Sequence, residues 1–124
     1  MLRIATIAAA VLLGAAAFAF AGDQGDPIED CGKSTPEMVA CLNARAAQWD
    51  KRLNAAYRKA LEDADGKRRE QLCATQRLWV QYRDANCLYW FMDEGSIARV
   101  EAADCMVRLT KTRAEELEGV TGQN

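Results

Sequence analysis

Thr35-Pro36-Glu37-Met38-Val39-Ala40-Cys41-Leu42 opens a helix, and the apolar spacing that begins at Met38 sets the fold class. Thr35 can cap, Pro36 suits the first helical position, and Glu37 suits the positive end of the macrodipole. Met38, Leu42, Ala46, Trp49, Leu53, Ala56 and Ala60 recur at three- and four-residue steps, which lays one apolar stripe along the helix. The pattern ends near Asp63 to Gly66. A second helix is predicted from about Lys67 to Met92, with Leu72, Thr75, Trp79, Tyr82, Asn86 and Tyr89 on one side. Gly95-Ser96 breaks the periodicity, and Ser96 can cap a third helix. That helix carries Ile97, Val100, Val107, Ala114 and Leu117 inward, with Cys105 on a flank. No alternating run supports a strand. The expected fold class is all-α, an antiparallel three-helix bundle.

The chain has five cysteines, and four group into short pairs. Cys73 and Cys87 share one predicted helix and lie roughly 21 Å apart along it. A disulfide needs Cα atoms within about 7 Å, so a continuous helix excludes that pair. Cys87 and Cys105 stand nearly level across the Gly95-Ser96 turn, which makes them the preferred pair. The lead before the first helix can fold back to bring Cys31 to Cys41. The bundle is thus expected to be stapled by two disulfides. Cys73 is left over, either a thiol that pairs between chains or stays free, or a small buried apolar residue.

Arg3 with the apolar run Ile4 to Phe20 and the small-x-small step Ala19-Phe20-Ala21 reads as a signal peptide over residues 1–21. A borderline membrane anchor is the competing reading. Its alanine richness and the polar Gly22-Asp23-Gln24-Gly25-Asp26 just beyond it favour removal. No cysteine at the cleavage point supports lipid attachment. Residues 22–34 are then a loose polar lead, 35–118 the helical domain and 119–124 a tail. Disulfides persist in oxidising compartments, so the expected location is periplasmic or secreted, with no membrane association after cleavage.

Removal of residues 1–21 takes away one charge, Arg3, and moves the net charge from -2 to -3. Mild acidity argues against nucleic-acid binding, which usually shows a basic face. It suits a basic protein partner, since complementary charge accelerates encounter. The chain contains no histidine, which removes the commonest general base and metal ligand. Its cysteines lack paired zinc spacing and any Cys-x-x-Cys. Neither a phosphate loop nor a Gly-x-Ser-x-Gly elbow occurs. Asp93/Glu94 and Glu115/Glu116 read as solvated faces. No catalytic residue, cofactor or metal is expected.

A polar-aromatic cluster stands out instead. Asp50, Asn54 and Tyr57 lie at four- and three-residue steps on the first helix. The second carries Gln76-Arg77-Leu78-Trp79-Val80-Gln81-Tyr82-Arg83-Asp84, where Gln76, Trp79 and Arg83 share a face and Tyr82 borders it. Either these residues satisfy each other between helices and fix register, or they form a binding surface.

The same residues resemble the N-terminal-domain type of the lysozyme inhibitor LprI family. Cys31, Thr35-Pro36-Glu37-Met38, Cys41 and Asp50-x-x-Leu53-Asn54-x-x-Tyr57 are similar to its first half. Gln76-Arg77-x-Trp79-x-x-Tyr82-Arg83-Asp84-x-x-Cys87, Gly95-Ser96, Cys105, Thr110 and Arg113 are similar to the rest. The likeness spans about residues 31–117, with Cys73 extra to the four-cysteine pattern. It implies an exported helical domain that binds protein, with lysozyme as the target proposed for the family's namesake. Lysozymes of the animal type are basic and work with two carboxylates in a cleft. Arg83, Arg77 and Tyr57 are the side chains that would enter that cleft, with the turn Asp93 to Ser96 as the fallback. The rival reading is a periplasmic adaptor or structural module that binds an envelope protein, or forms a homodimer, through an apolar patch. Leu88, Trp90 and Phe91 would supply that patch, although Trp90 and Phe91 are expected to cap the core.

Overall fold

The computed structural model describes residues 28–121. A short 3-10 turn, Ile28–Cys31, precedes helices α1 (Thr35–Asp63), α2 (Gly66–Phe91) and α3 (Ile97–Thr121). The expected signal segment, the lead up to residue 27 and residues 122–124 lie outside the described residues. Neighbours in sequence run antiparallel, while α1 and α3 run parallel. Leu42 packs near Val100 at one end, and Leu53 near Ala114 and Leu117 at the other. The all-helical bundle is as expected, and no strand occurs among the described residues.

The first helix is capped one residue earlier than the sequence suggests. Ser34, not Thr35, is the cap: its backbone is extended (φ -99, ψ 151), whereas Thr35 already belongs to the helix. Ser34 Oγ accepts from the Glu37 amide at 3.3 Å, and the Glu37 carboxylate accepts from the Ser34 amide at 3.0 Å. This reciprocal box satisfies donors that a helix start leaves orphaned. The Ser34 amide, the Ser34 hydroxyl and the Lys33 amide hold the Glu37 carboxyl below its usual range. Gly32 makes the approach possible. Its φ is +98, and a Cβ there would meet the Glu37 Cβ at 2.9 Å. At the hairpin between α1 and α2, Arg69 Nη1 donates to the Leu61 carbonyl at 2.6 Å, so the start of α2 closes the end of α1.

Helix α3 is the centre of the molecule, packed along α1 on one side and against α2 on another, while α1 and α2 make little backbone contact. That arrangement explains where the stripes depart from expectation. A helix between two others buries more than one face, so α3 covers Ala98, Ala103, Cys105, Thr110 and Arg113 as well as Val100, Ala114 and Leu117. Cys105 is fully buried rather than on a flank, and Ile97, expected inside, is exposed. Small residues (Ala56 and Ala60 on α1, Ala103 and Ala114 on α3) let the two backbones approach closely. Helix α2 is the outlier. Its inward face is rotated from the expected one: Gln76 and Cys87 are buried and Leu72, Trp79 and Arg83 half-buried, while Thr75, Tyr82 and Tyr89 face solvent.

Both disulfides form as expected. Cys31–Cys41 (Cα–Cα 5.3 Å) ties the 3-10 turn to α1, and Cys87–Cys105 (5.5 Å) ties α2 to α3. Cys73 is a free thiol, half-buried.

Candidate functional site

The polar-aromatic cluster assembles around Arg83. Asp50 and Asn54, one turn apart on α1, are joined by Asn54 Nδ2 donating to Asp50 Oδ2 at 3.2 Å. Arg83 reaches across from α2: Nη1 is 3.6 Å from Asp50 Oδ1, and Nη2 is 2.9 Å from Asp84 Oδ1. Its guanidinium lies over the Trp79 ring, 5.1 Å from the centroid. Only 13% of the Arg83 side chain is exposed. Held by two carboxylates and an indole, this cation clips α2 to α1, where the helices otherwise barely meet. A planar guanidinium suits that role, since it can stack and pair at once.

Gln76 turns inward to a different partner. Arg113 Nε donates to Gln76 Oε1 at 3.0 Å, and Arg113 Nη1 pairs with Glu116 Oε2 at 2.8 Å. Arg113 is 7% exposed, a cation inside the α2–α3 interface. With Thr110 it occupies the gap in the inward series Val107, Ala114, Leu117. Three- and four-residue spacing alone is enough to mark both positions as buried.

Tyr57 and Cys73 meet where α1 faces α2. The Cys73 side chain beside the Tyr57 hydroxyl raises the phenol's pKa, and burial adds to the shift, while Arg77 and Arg69 oppose it more weakly. A folded-state pKa above the unfolded one means a native advantage that is complete below the unfolded value, near 10, and vanishes as pH climbs through the folded value. Thermal unfolding should therefore lose ground above about pH 10, and Tyr57→Phe should flatten that decline. An identical alkaline profile in the variant would refute the assignment. Arg77 lines a hollow with Tyr57 and Cys73 and is exposed, whereas Tyr82 is exposed outside it and outside the contact network.

The end of the molecule formed by the last turn of α2 and the first of α3 has another character. Leu88, Tyr89, Phe91, Met92 and Ile97 are all more than half exposed, Tyr89 at 70% and Met92 at 76%. Trp90 and Phe91 do not cap the core as expected, for Trp90 is 38% and Phe91 54% exposed. Trp90 packs edge-on against Tyr89, with ring centroids 5.4 Å apart. The connecting turn carries Asp93 and Glu94, and Gly95 at φ +86 supplies its left-handed step. Exposed apolar side chains gathered at one end of a small chain are a common feature of interaction surfaces.

The profile of the family described as lysozyme inhibitor LprI matches residues 29–117. The chain belongs to the lysozyme inhibitor LprI family. The match runs from the 3-10 turn to Leu117 of α3, and so takes in both disulfides, the Arg83 clip, the Gln76–Arg113 pair and the apolar end. No curated protein and no solved structure matches the chain. LprI membership places it among inhibitor-type proteins rather than catalytic ones, with protein binding as the coarse function. No helix among the described residues is long and apolar enough to cross a membrane. No group of His, Cys, Asp and Glu side chains among them could hold a metal.

Proposed function

We propose that this LprI-family chain is exported, binds protein without catalysing a reaction, and inhibits a basic lysozyme by laying its α2–α3 end into the enzyme's cleft. The observation that carries the reading is the apolar surface from Leu88 to Met92 with Ile97, set beside the acidic pair Asp93 and Glu94. Exposed aromatic side chains are the usual anchors of an interface, and negative charge next to them steers a basic partner. The two disulfides fit a periplasmic or secreted location, in line with a signal segment at residues 1–21. Arg83 and Tyr57 are engaged within the bundle, so they position α2, and cleft entry falls to its exposed end.

The adaptor reading draws on the same apolar surface, which would also serve an envelope protein or a second copy of the chain. A lytic assay separates the two. With the oxidised chain, purified as exported by an expression host, titrated against a basic animal-type lysozyme, inhibition should saturate and weaken as salt screens the encounter. Tyr89→Ala with Phe91→Ala should weaken it by about tenfold or more, whereas Arg83→Ala should change it little once folding is verified. No inhibition at large excess of correctly bridged protein would leave the adaptor reading in front, and a concentration-dependent increase in mass by light scattering would point to self-association.

A further inference from the structure

Beside the exposed end runs a groove of about 390 Å³ between the start of α1, the last turn of α2 and the start of α3. Met38, Trp90, Ile97 and Val100 give it apolar walls, and Glu101, Asp104 and Arg108 line it from α3. The two carboxylates differ. Asp104 is neutralised by Arg108, whose Nε is 2.7 Å from its Oδ2. Glu101 is half-buried, and its carboxylate has no ion pair or hydrogen bond among the described residues. An unpaired carboxylate in a groove that an indole also lines favours a cation: the charge pairs with it, and the ring quadrupole attracts it.

We propose that this groove is the recognition pocket for a cationic protein surface that offers an apolar side chain flanked by lysine or arginine. The inference rests on the reading that this end of the molecule binds a basic protein, and it names the chemistry of the contact. The neighbouring hollow does not share the preference, since Arg99 and Asp84 both line it and their charges offset. Both disulfides brace the groove. Cys31–Cys41 holds the first turns of α1 beside Met38, and Cys87–Cys105 holds α2 against α3 next to Asp104. A pocket fixed before binding loses less entropy on complex formation.

The test tracks amide and indole NMR signals of the exported, oxidised chain during titration with a capped Lys-Leu-Lys-Leu-Lys peptide, against Gln-Leu-Gln-Leu-Gln as control. Saturable shifts should centre on Met38, Trp90, Ile97, Val100 and Glu101, with the neutral peptide binding at least about tenfold more weakly. Glu101→Lys should weaken the cationic peptide by about tenfold, and Glu101→Gln by less. Trp90→Ala should weaken both peptides. Shifts centred on another face, equal binding of the two peptides, or unchanged affinity in Glu101→Lys with intact helicity and disulfides would each overturn the groove. The two readings fail separately. Peptide binding without lysozyme inhibition refutes the lysozyme target alone, and lysozyme inhibition undiminished by Glu101→Lys refutes the groove alone.

Discussion

Replacing Cys87 and Cys105 together by alanine is expected to lower the unfolding free energy by about 3 kcal/mol, the chain-entropy value for a loop of this length. The separation of 18 residues sets the size of the effect, and the architecture sets where it is felt. Helix α2 fully buries only Gln76 and Cys87, and it has little backbone contact with α1. Without the bridge, the second half of α2 keeps few apolar contacts to hold it on α3. Hydrogen exchange should accelerate from about Trp79 to Phe91 while α1 and the C-terminal half of α3 stay protected, since local opening tracks thin contact. Loss of Cys31–Cys41, which closes a loop of 10 residues, should cost a similar free energy but loosen the start of α1 and its lead. Equal, uniform loss of protection in both variants would show that the bundle opens only as a whole.

Arg113→Ala is expected to destabilise by about 3 kcal/mol, as the removal of one member of a buried polar pair does. The guanidinium is almost wholly covered, and Gln76 Oε1 depends on it for a hydrogen bond of 3.0 Å. Truncation leaves a cavity and an unsatisfied amide at once. The ion pair with Glu116 adds little, because the Glu116 side chain is 60% exposed and screened by water. Glu116→Gln should therefore change stability by well under about 1 kcal/mol. Arg113→Met combined with Gln76→Leu should recover much of the loss, since apolar residues of similar volume can replace a buried polar pair. Denaturant unfolding of the parent, Arg113→Met, Gln76→Leu and the double variant forms a double-mutant cycle. Additive losses at Gln76 and Arg113 would mean that the two side chains do not act as a pair.

Much of the fold can be read from the chain because it rests on local rules. The stripe from Met38 to Ala60 places α1 correctly, since a helix with one buried face shows its period directly. Gly95 marks the turn, and level placement across it pairs Cys87 with Cys105 without any coordinates. The cap falls one residue away, at Ser34 instead of Thr35, because both types accept at a helix start and only the backbone angles separate them.

The candidate site can be read in part. Asp50, Asn54, Trp79, Arg83 and Asp84 do come together, and one face on each helix is enough to suggest it. Arg77 and Tyr82 share the motif but not the contacts, as they project from α2 into solvent. Thr110 and Arg113 fall at inward steps of α3, and their polar side chains hide them from a stripe read by apolar residues alone. Trp90 and Phe91 are expected to cap the core because they stand beside the turn, yet no helix among the described residues covers them.

Three helices, their turns, the two bridges and the family all depend on spacing along the chain, and the amino-acid order alone carries them. The central place of α3 and the sparse backbone contact of α2 with α1 come from the packed bundle. So do the role of Arg83 in clipping helices together and the exposure of the apolar end of α2 and the Glu101 groove. The reason is geometric. Periodicity tells which residues share a face of one helix, but how much of that face a neighbour covers depends on the distance and rotation between helices, set by the packing of all three at once.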